Sequence, residues 1–146
     1  MRIVRHDTRH RETRVEILQR LEGCHFSLDR NPSAPELAQE SASCGGMYIA
    51  HMRSEGDRLV EAVQETIDIA KASGAPAEIY HLKLAGKDNW GKLDKVVNMV
   101  DTARASGVRI SANMYTYTAG ATGLDAAMPL WVQDGGLEAW IARLRD

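Results

Sequence analysis

Apolar positions along the chain follow two rhythms. Leu59, Val63, Ile67 and Ala70 recur at helical spacing, while Asp57, Arg58, Glu61, Glu65 and Asp68 fall largely off that face. This predicts an amphipathic helix closed by Gly74. Leu93, Val96, Val97, Val100 and Ala103 predict a second helix with those five side chains inward, ending at Gly107, and Leu137–Leu144 predicts a last one. Three short apolar runs lie between turn signals: Met47–His51 after a glycine pair, Ala77–Leu82 after Pro76, and Val108–Tyr115. Each reads as a buried strand. Upstream, Val15, Leu18 and Leu21, with Ile17 alongside, are spaced for one helix face ending near Gly23. Asp29–Pro35 reads as a loop around Asn31-Pro32, and Pro35–Ser43 as a short helix with proline in its first turn, stopped by Gly45-Gly46.

The strand–helix alternation repeats. Lys71-Ala72-Ser73-Gly74 and Arg104-Ala105-Ser106-Gly107 lie 33 residues apart, each closing a helix just before a strand. A period of about 30 residues of strand plus helix is a βα unit, and successive units require a parallel sheet. The expected fold class is α/β: three parallel strands with flanking helices. A complete (β/α)₈ barrel takes roughly 200 residues or more, so 146 residues fit only part of one.

Composition narrows the function classes. The 18 Lys and Arg against 20 Asp and Glu leave a net charge of −2, without the basic excess that grips a phosphate backbone. With 3 Trp, 4 Tyr and 1 Phe, aromatics are too scarce for a base-stacking platform. No nucleic-acid partner is therefore expected. No apolar run is long enough to span a membrane, and the charged start MRIVRHDTRH lacks the apolar stretch of a secretory signal. Cys24 and Cys44 are too few for a disulfide scaffold and read as reduced thiols of a cytoplasmic protein. Charge is uneven along the chain. Residues 1–20 hold six Arg and two His against three acids, which sets this stretch apart from the rest of the sequence.

In parallel α/β folds, function gathers at the carboxyl ends of strands. The first of the three strands ends in His51-Met52-Arg53-Ser54-Glu55 and the second in His81-Leu82-Lys83. His51 and His81 lie 30 residues apart, one βα period, so adjacent strands would present two imidazoles side by side. Such a pair could hold Zn²⁺, or each ring could simply cap its strand end; zinc wants at least three protein ligands. His6, His10 and His25 read as solvated surface. The Gly and Thr loop from Thr118 to Gly123 lacks both the Gly-x-Gly-x-x-Gly order and a Walker lysine, and reads as a flexible connection. Lys83 and Arg53 could pair with a substrate carboxylate or merely solvate. Cys44 reads as a small buried side chain.

These residues also form ordered motifs. Gly45-Gly46-Met47-Tyr48-Ile49-Ala50-His51-Met52-Arg53-Ser54-Glu55-Gly56 resembles the "GGxYxxHMRxE" segment of the N-acyl-D-amino-acid deacylases (D-aminoacylases), zinc enzymes of the amidohydrolase superfamily. Glu78–Lys83 resembles their "Ile-Ser-His-x-Lys" strand, and Asn113–Gly120 their "Asp-x-Tyr-Pro-Tyr-x-Ala-Gly" strand and loop. The likeness runs in order from about Ala34 to Asp146, about three-quarters of the chain. It divides the chain into an amino-terminal leader, 1–33, without family likeness and a partial (β/α) barrel segment, 34–146.

The resemblance implies zinc as cofactor, with His51 and His81 as metal ligands on the fifth and sixth barrel strands. It further implies that Lys83 and Tyr115 hold the carboxylate of an N-acyl amino acid whose amide bond is hydrolysed, a non-peptide C–N bond. Departures from the pattern are Tyr80 for Ser, Asn113 for Asp and Thr116 for Pro. The family's first-strand His-x-His pair, its zinc-ligating Cys and its catalytic Asp have no counterparts, so no catalytic residue is assigned. The expectation is a truncated barrel segment, inactive by itself and able to self-associate through exposed sheet edges. The alternative is a non-catalytic α/β remnant with weak metal binding or a partner-association role.

Overall fold

The structure, a computed structural model, describes residues 2–6, 15–19, 33–123 and 128–145. It divides into two compact units, Met1–Tyr115 and Thr116–Asp146. In the first unit β1 (Arg2–His6), β2 (Val15–Gln19), β3 (Met47–Ala50), β4 (Ala77–Ile79) and β5 (Ile110–Ala112) form one sheet in the order β1-β2-β3-β4-β5. Helices α1 (Ala34–Ser43), α2 (Leu59–Ser73) and α3 (Leu93–Ala105) alternate with β3, β4 and β5. A 3₁₀ turn over Lys87–Lys92 leads into α3. The second unit carries a 3₁₀ turn, Leu130–Gln133, and α4 (Gly136–Arg143), where Arg143 Nη1 donates to the carbonyls of Val132 and Asp134.

The three expected parallel strands are present and in register. Tyr48 N–H donates to Pro76 O at 2.8 Å, Tyr80 N–H to Ala50 O at 2.9 Å, and Ala77 N–H to Arg109 O at 2.8 Å. Alternation along each strand separates two faces. Tyr48, Ala50, Ala77, Ile79 and Ile110 face the helices and join Leu37, Ala38, Leu59, Val63, Ile67 and Val96 in one core. The intervening row, Ile49, Glu78 and Ser111 in register, lies on the other face and is less buried. Burial pushes the Tyr48 hydroxyl far above the usual phenol range, and the nearby Glu65 carboxylate pushes the same way.

Local chemistry sets the helix ends. Glu36 accepts hydrogen bonds from Ser33 N–H at 2.8 Å and Ser33 Oγ at 2.9 Å, opening α1 with Pro35 in its first turn. Gly74 closes α2 at φ 66° and donates to Ala70 O, a left-handed cap that disfavours any side chain. α3 departs from expectation. Val96 and Ala103 are buried, but Leu93 and Val97 are exposed; among the described residues α3 packs mainly on α2, the preceding turn and β5.

Two further expectations are corrected. The helix expected from Val15, Leu18 and Leu21 is not formed over residues 15–19, which are β2, antiparallel to both β1 and β3. The run Val15-Glu16-Ile17-Leu18 carries the β-branched residues of a strand, and pairing with the open edge of β3 outweighs a short helical spacing. Cys44 is disulfide-bonded rather than reduced; two cysteines suffice for one bridge, so their number carries no argument for a cytoplasmic location. Cys24, His10, His25 and the loop up to Pro32 lie outside the described residues. Among those described, no helix is long and apolar enough to cross a membrane.

Candidate metal centre

The carboxyl ends of β3 and β4 bring four polar side chains to one point. His51 Nδ1 lies 2.9 Å from His81 Nε2, and the two rings meet edge to face with centroids 4.7 Å apart. Glu55, four residues beyond His51, places Oε1 at 2.9 Å from His81 Nδ1 and 3.7 Å from His51 Nδ1. Lys83 Nζ lies 2.5 Å from the same Glu55 oxygen and 2.8 Å from His81 Nδ1. His51 is the most open of the four, with 52% of its side chain exposed, against 17% for Glu55.

Strand alternation alone does not produce this convergence. His51 shares the polar face of β3 with Ile49, whereas strict alternation would put His81 with Ile79 on the helix-packed face. The backbone of His81 departs into the left-handed region, at φ 43°. This breaks the alternation just past β4 and turns the imidazole toward His51. The departure is anchored from β5: Asn113 Oδ1 accepts His81 N–H at 2.6 Å, and Asn113 Nδ2 donates to Glu78. Leu82 N–H closes on Asn113 O at 2.7 Å. Asn113 thus stitches the mouth of the site together.

The loop bearing Glu55 is equally fixed. Ala85 N–H donates to Glu55 O at 2.7 Å, tying the β3–α2 loop to the β4–α3 loop. Buried Asn89 donates to Ala85 O at 2.6 Å, and Lys92 Nζ bonds Asn89 Oδ1 at 2.6 Å and Asp57 O at 2.8 Å. These contacts give the carbonyls of Glu55, Asp57 and Ala85 hydrogen-bond partners and hold the two loops together.

The donor set suits a borderline cation. A zinc bound at 2.0–2.1 Å by two imidazoles at a tetrahedral angle sets their nitrogens about 3.3 Å apart, so the rings need open by only about half an ångström. His51, Glu55 and His81 together offer three ligand-type atoms within 4.8 Å of one another. Glu55 was not singled out from sequence; its signal was its place four residues after His51, inside the same motif. Of the expected carboxylate-binding pair, Lys83 Nζ stands 5.5 Å from the centroid of the Tyr115 ring, so these two are neighbours. Arg53 is elsewhere: its guanidinium forks onto Glu65 of α2 at 2.8 and 2.6 Å. Residues 118–123 are exposed and belong to the second unit.

No family model matches the chain. Over 86 residues, 59% of its length, it is 33% identical to the N-acyl-D-glutamate deacylase of Alcaligenes xylosoxydans xylosoxydans. Over 87 residues it is 34% identical to the D-aminoacylase of the same organism. Each match spans only 18% of the relative, so the chain corresponds to under a fifth of the length of these proteins. Among solved structures, a D-aminoacylase described as defining a novel subset of amidohydrolases superposes with a TM-score of 0.55 at 34% identity, over 60% of this chain and 19% of that one. The N-acyl-D-glutamate deacylase of Bordetella bronchiseptica, complexed with zinc and a phosphonate mimic of the tetrahedral intermediate, gives 0.55 at 29% identity, over 59% and 19%. The α/β unit with its three parallel strands thus aligns with a segment of an amidohydrolase barrel.

Proposed function

We propose that residues 34–146 are a barrel segment of an N-acyl-D-amino-acid deacylase, set behind a separate leader of residues 1–33. In this reading His51 and His81 are metal ligands, and Lys83 with Tyr115 receives the carboxylate of the N-acyl amino acid. The observation that carries it is the 2.9 Å approach of two imidazoles separated by 30 residues of sequence. The partial match to D-aminoacylases supports the same assignment.

A bound zinc supplies Lewis acidity for amide hydrolysis. The chain's own residues contribute positioning. His51 presents Nδ1 from the open side of the site, and His81 presents Nε2 from a backbone turn held by Asn113. Lys83 offers an ammonium for a carboxylate, with the Tyr115 ring flanking it. Glu55 already occupies that ammonium, so an incoming substrate carboxylate must compete with it. No general base is assigned among the described residues, and such a group is typically worth about 10²–10⁴-fold in rate. The 146-residue chain by itself is therefore expected to bind zinc weakly and not to turn over.

Calorimetry with Zn²⁺ on the wild type, His51→Ala and His81→Ala tests the pair. Micromolar or weaker binding that disappears in both variants supports the site; nanomolar binding that survives both removes it. Hydrolysis of N-acetyl-D-methionine with added zinc tests the chemistry. Turnover lost in the double histidine variant would show that the isolated chain carries a complete site.

A non-catalytic reading draws on a different observation. Among the described residues β5 is the last strand of the sheet and pairs only with β4, leaving an edge for a second copy of the chain.

A further inference from the structure

Lys83 is a cation held by side chains that a metal would also use. Its Nζ lies 2.5 Å from Glu55 Oε1 and 2.8 Å from His81 Nδ1. An ammonium has protons and no lone pair, so it donates to both. The same two side chains, with His51, form the group whose ligand-type atoms lie within 4.8 Å of one another. Glu55 Oε1 is also 3.7 Å from His51 Nδ1, within about half an ångström of the spacing that a tetrahedral zinc imposes on its ligands. One carboxylate oxygen thus stands within reach of a bound ammonium and of the paired histidines. A zinc and an ammonium on that oxygen would lie only about 4 Å apart, where like charges repel strongly. Lys83 is the one free to move. Its ammonium rides on a flexible four-carbon stem with 28% of the side chain exposed. The loop bearing Glu55 is tied down through Ala85 and Asn89, and the His81 backbone is held by Asn113.

We propose that Glu55 is a third metal ligand that Lys83 occupies in the metal-free chain, so that metal binding releases the Lys83 ammonium to the carboxylate of an N-acyl amino acid. The proposal rests on the reading of His51 and His81 as metal ligands and of Lys83 as the carboxylate receptor. It gives Glu55 two states, one on Lys83 and one on the metal. The centre gains what two imidazoles lack, a third protein ligand. The competition between Glu55 and a substrate carboxylate for Lys83 ends when the metal takes Glu55. Lys83, 5.5 Å from the centroid of the Tyr115 ring, is then left without its carboxylate partner only while a metal is in place. Metal and N-acyl amino acid therefore bind cooperatively, each strengthening the other by the same factor.

Zinc calorimetry on the full chain as wild type, Glu55→Gln, Lys83→Met and the double variant forms a double-mutant cycle. Lys83→Met is expected to bind zinc about tenfold more tightly than the wild type, and Glu55→Gln about tenfold more weakly. Glu55→Gln should cost more in the Lys83→Met background than in the wild type, because there the carboxylate has no ammonium to give up. Binding of N-acetyl-D-methionine in the presence of EDTA, followed by NMR titration, reads the other side of the exchange. It should strengthen about tenfold in Glu55→Gln, where Lys83 is already released, and be lost in Lys83→Met. A gain in zinc affinity in one variant and in carboxylate affinity in the other cannot come from damage to the fold. Effects of Glu55→Gln and Lys83→Met on zinc that simply add overturn the proposal. So does zinc affinity, or metal-free binding of N-acetyl-D-methionine, that Glu55→Gln leaves unmoved. Failure of the underlying reading looks different: zinc binding indifferent to His51→Ala and His81→Ala, or N-acetyl-D-methionine binding indifferent to Lys83→Met.

Discussion

His81 carries backbone strain at the residue where chemistry is proposed. A non-glycine residue at φ 43° costs on the order of 1–2 kcal/mol, and here Asn113 holds it in place through the His81 N–H. Substituting alanine removes the imidazole but keeps the strain, whereas glycine removes both at some cost in chain entropy. His81→Gly is therefore expected to be more stable than His81→Ala by about 1 kcal/mol, measured by urea unfolding, with zinc binding lost in both. Equal stabilities would mean that the turn is not strained. Tyr48 makes a second residue-scale case. Its phenol stays neutral in the buried site but ionises from about pH 10 in the unfolded chain. The stability this gives is complete below pH 10 and is lost as pH rises, by up to about 1.4 kcal/mol per unit. Tyr48→Phe should flatten that slope in unfolding curves collected between about pH 9.5 and 11.5, a window set by the ordinary phenol range. The residue scale was also where the sequence was least transparent. A period of 30 residues aligned His51 with His81, but neither the backbone turn at His81 nor the swing of Arg53 onto Glu65 has a signature in residue order. Both depend on partners, Asn113 and Glu65, that lie in other elements.

At the scale of elements, the repeated Ala-Ser-Gly endings proved informative because each encodes a backbone requirement. Gly74 and Gly107 both adopt positive φ, 66° and 90°, and a Cβ at either would meet nothing within 4 Å. The cost of Gly74→Ala and Gly107→Ala is then conformational alone, about 1 kcal/mol each. Thermal melts of the two variants check this, and a neutral result at both would remove the cap argument. α2 and the three parallel strands were legible for a related reason: their periodicity is long or their turn signals sharp, and burial of Leu59, Val63, Ile67, Tyr48 and Ile79 follows it. Strand ends were less legible. Sequence extended the last two strands to Leu82 and Tyr115, whereas β4 stops at Ile79 and β5 at Ala112. The residues beyond leave the ladder to build the site instead. β2 was misread because four residues at helical spacing say little when an unpaired strand edge is waiting for them.

On the scale of the whole molecule, the question is how a sheet segment of a closed barrel manages its edges. One edge of the parallel set is covered within the chain, since β2 pairs antiparallel with β3 and β1 extends the sheet. That answers part of the expectation of exposed sheet edges: residues 15–19, whose spacing suggests a helix, lie beside β3 as a strand. The other edge is β5. Asn113 N–H donates to Ile79 O, and Arg109 O accepts from Ala77 N–H, so odd-numbered residues of this strand bond β4. Ile110 and Ala112 turn their backbone polar groups away from β4, and Ala112 is exposed. Exposed Leu93 and Val97 on neighbouring α3 add apolar surface on a helix that packs against β5. Edge pairing between copies would satisfy the strand and cover part of that surface. The chain is therefore expected to self-associate with rising concentration, as read by light scattering. Ala112→Pro deletes one outward donor without touching a bond to β4, a position where an edge strand tolerates proline. It should shift association to higher concentration while leaving the melting temperature nearly unchanged. Association unaffected by Ala112→Pro would place the contact elsewhere, and a wild type that stays monomeric at all concentrations would show that the β5 edge is not left open.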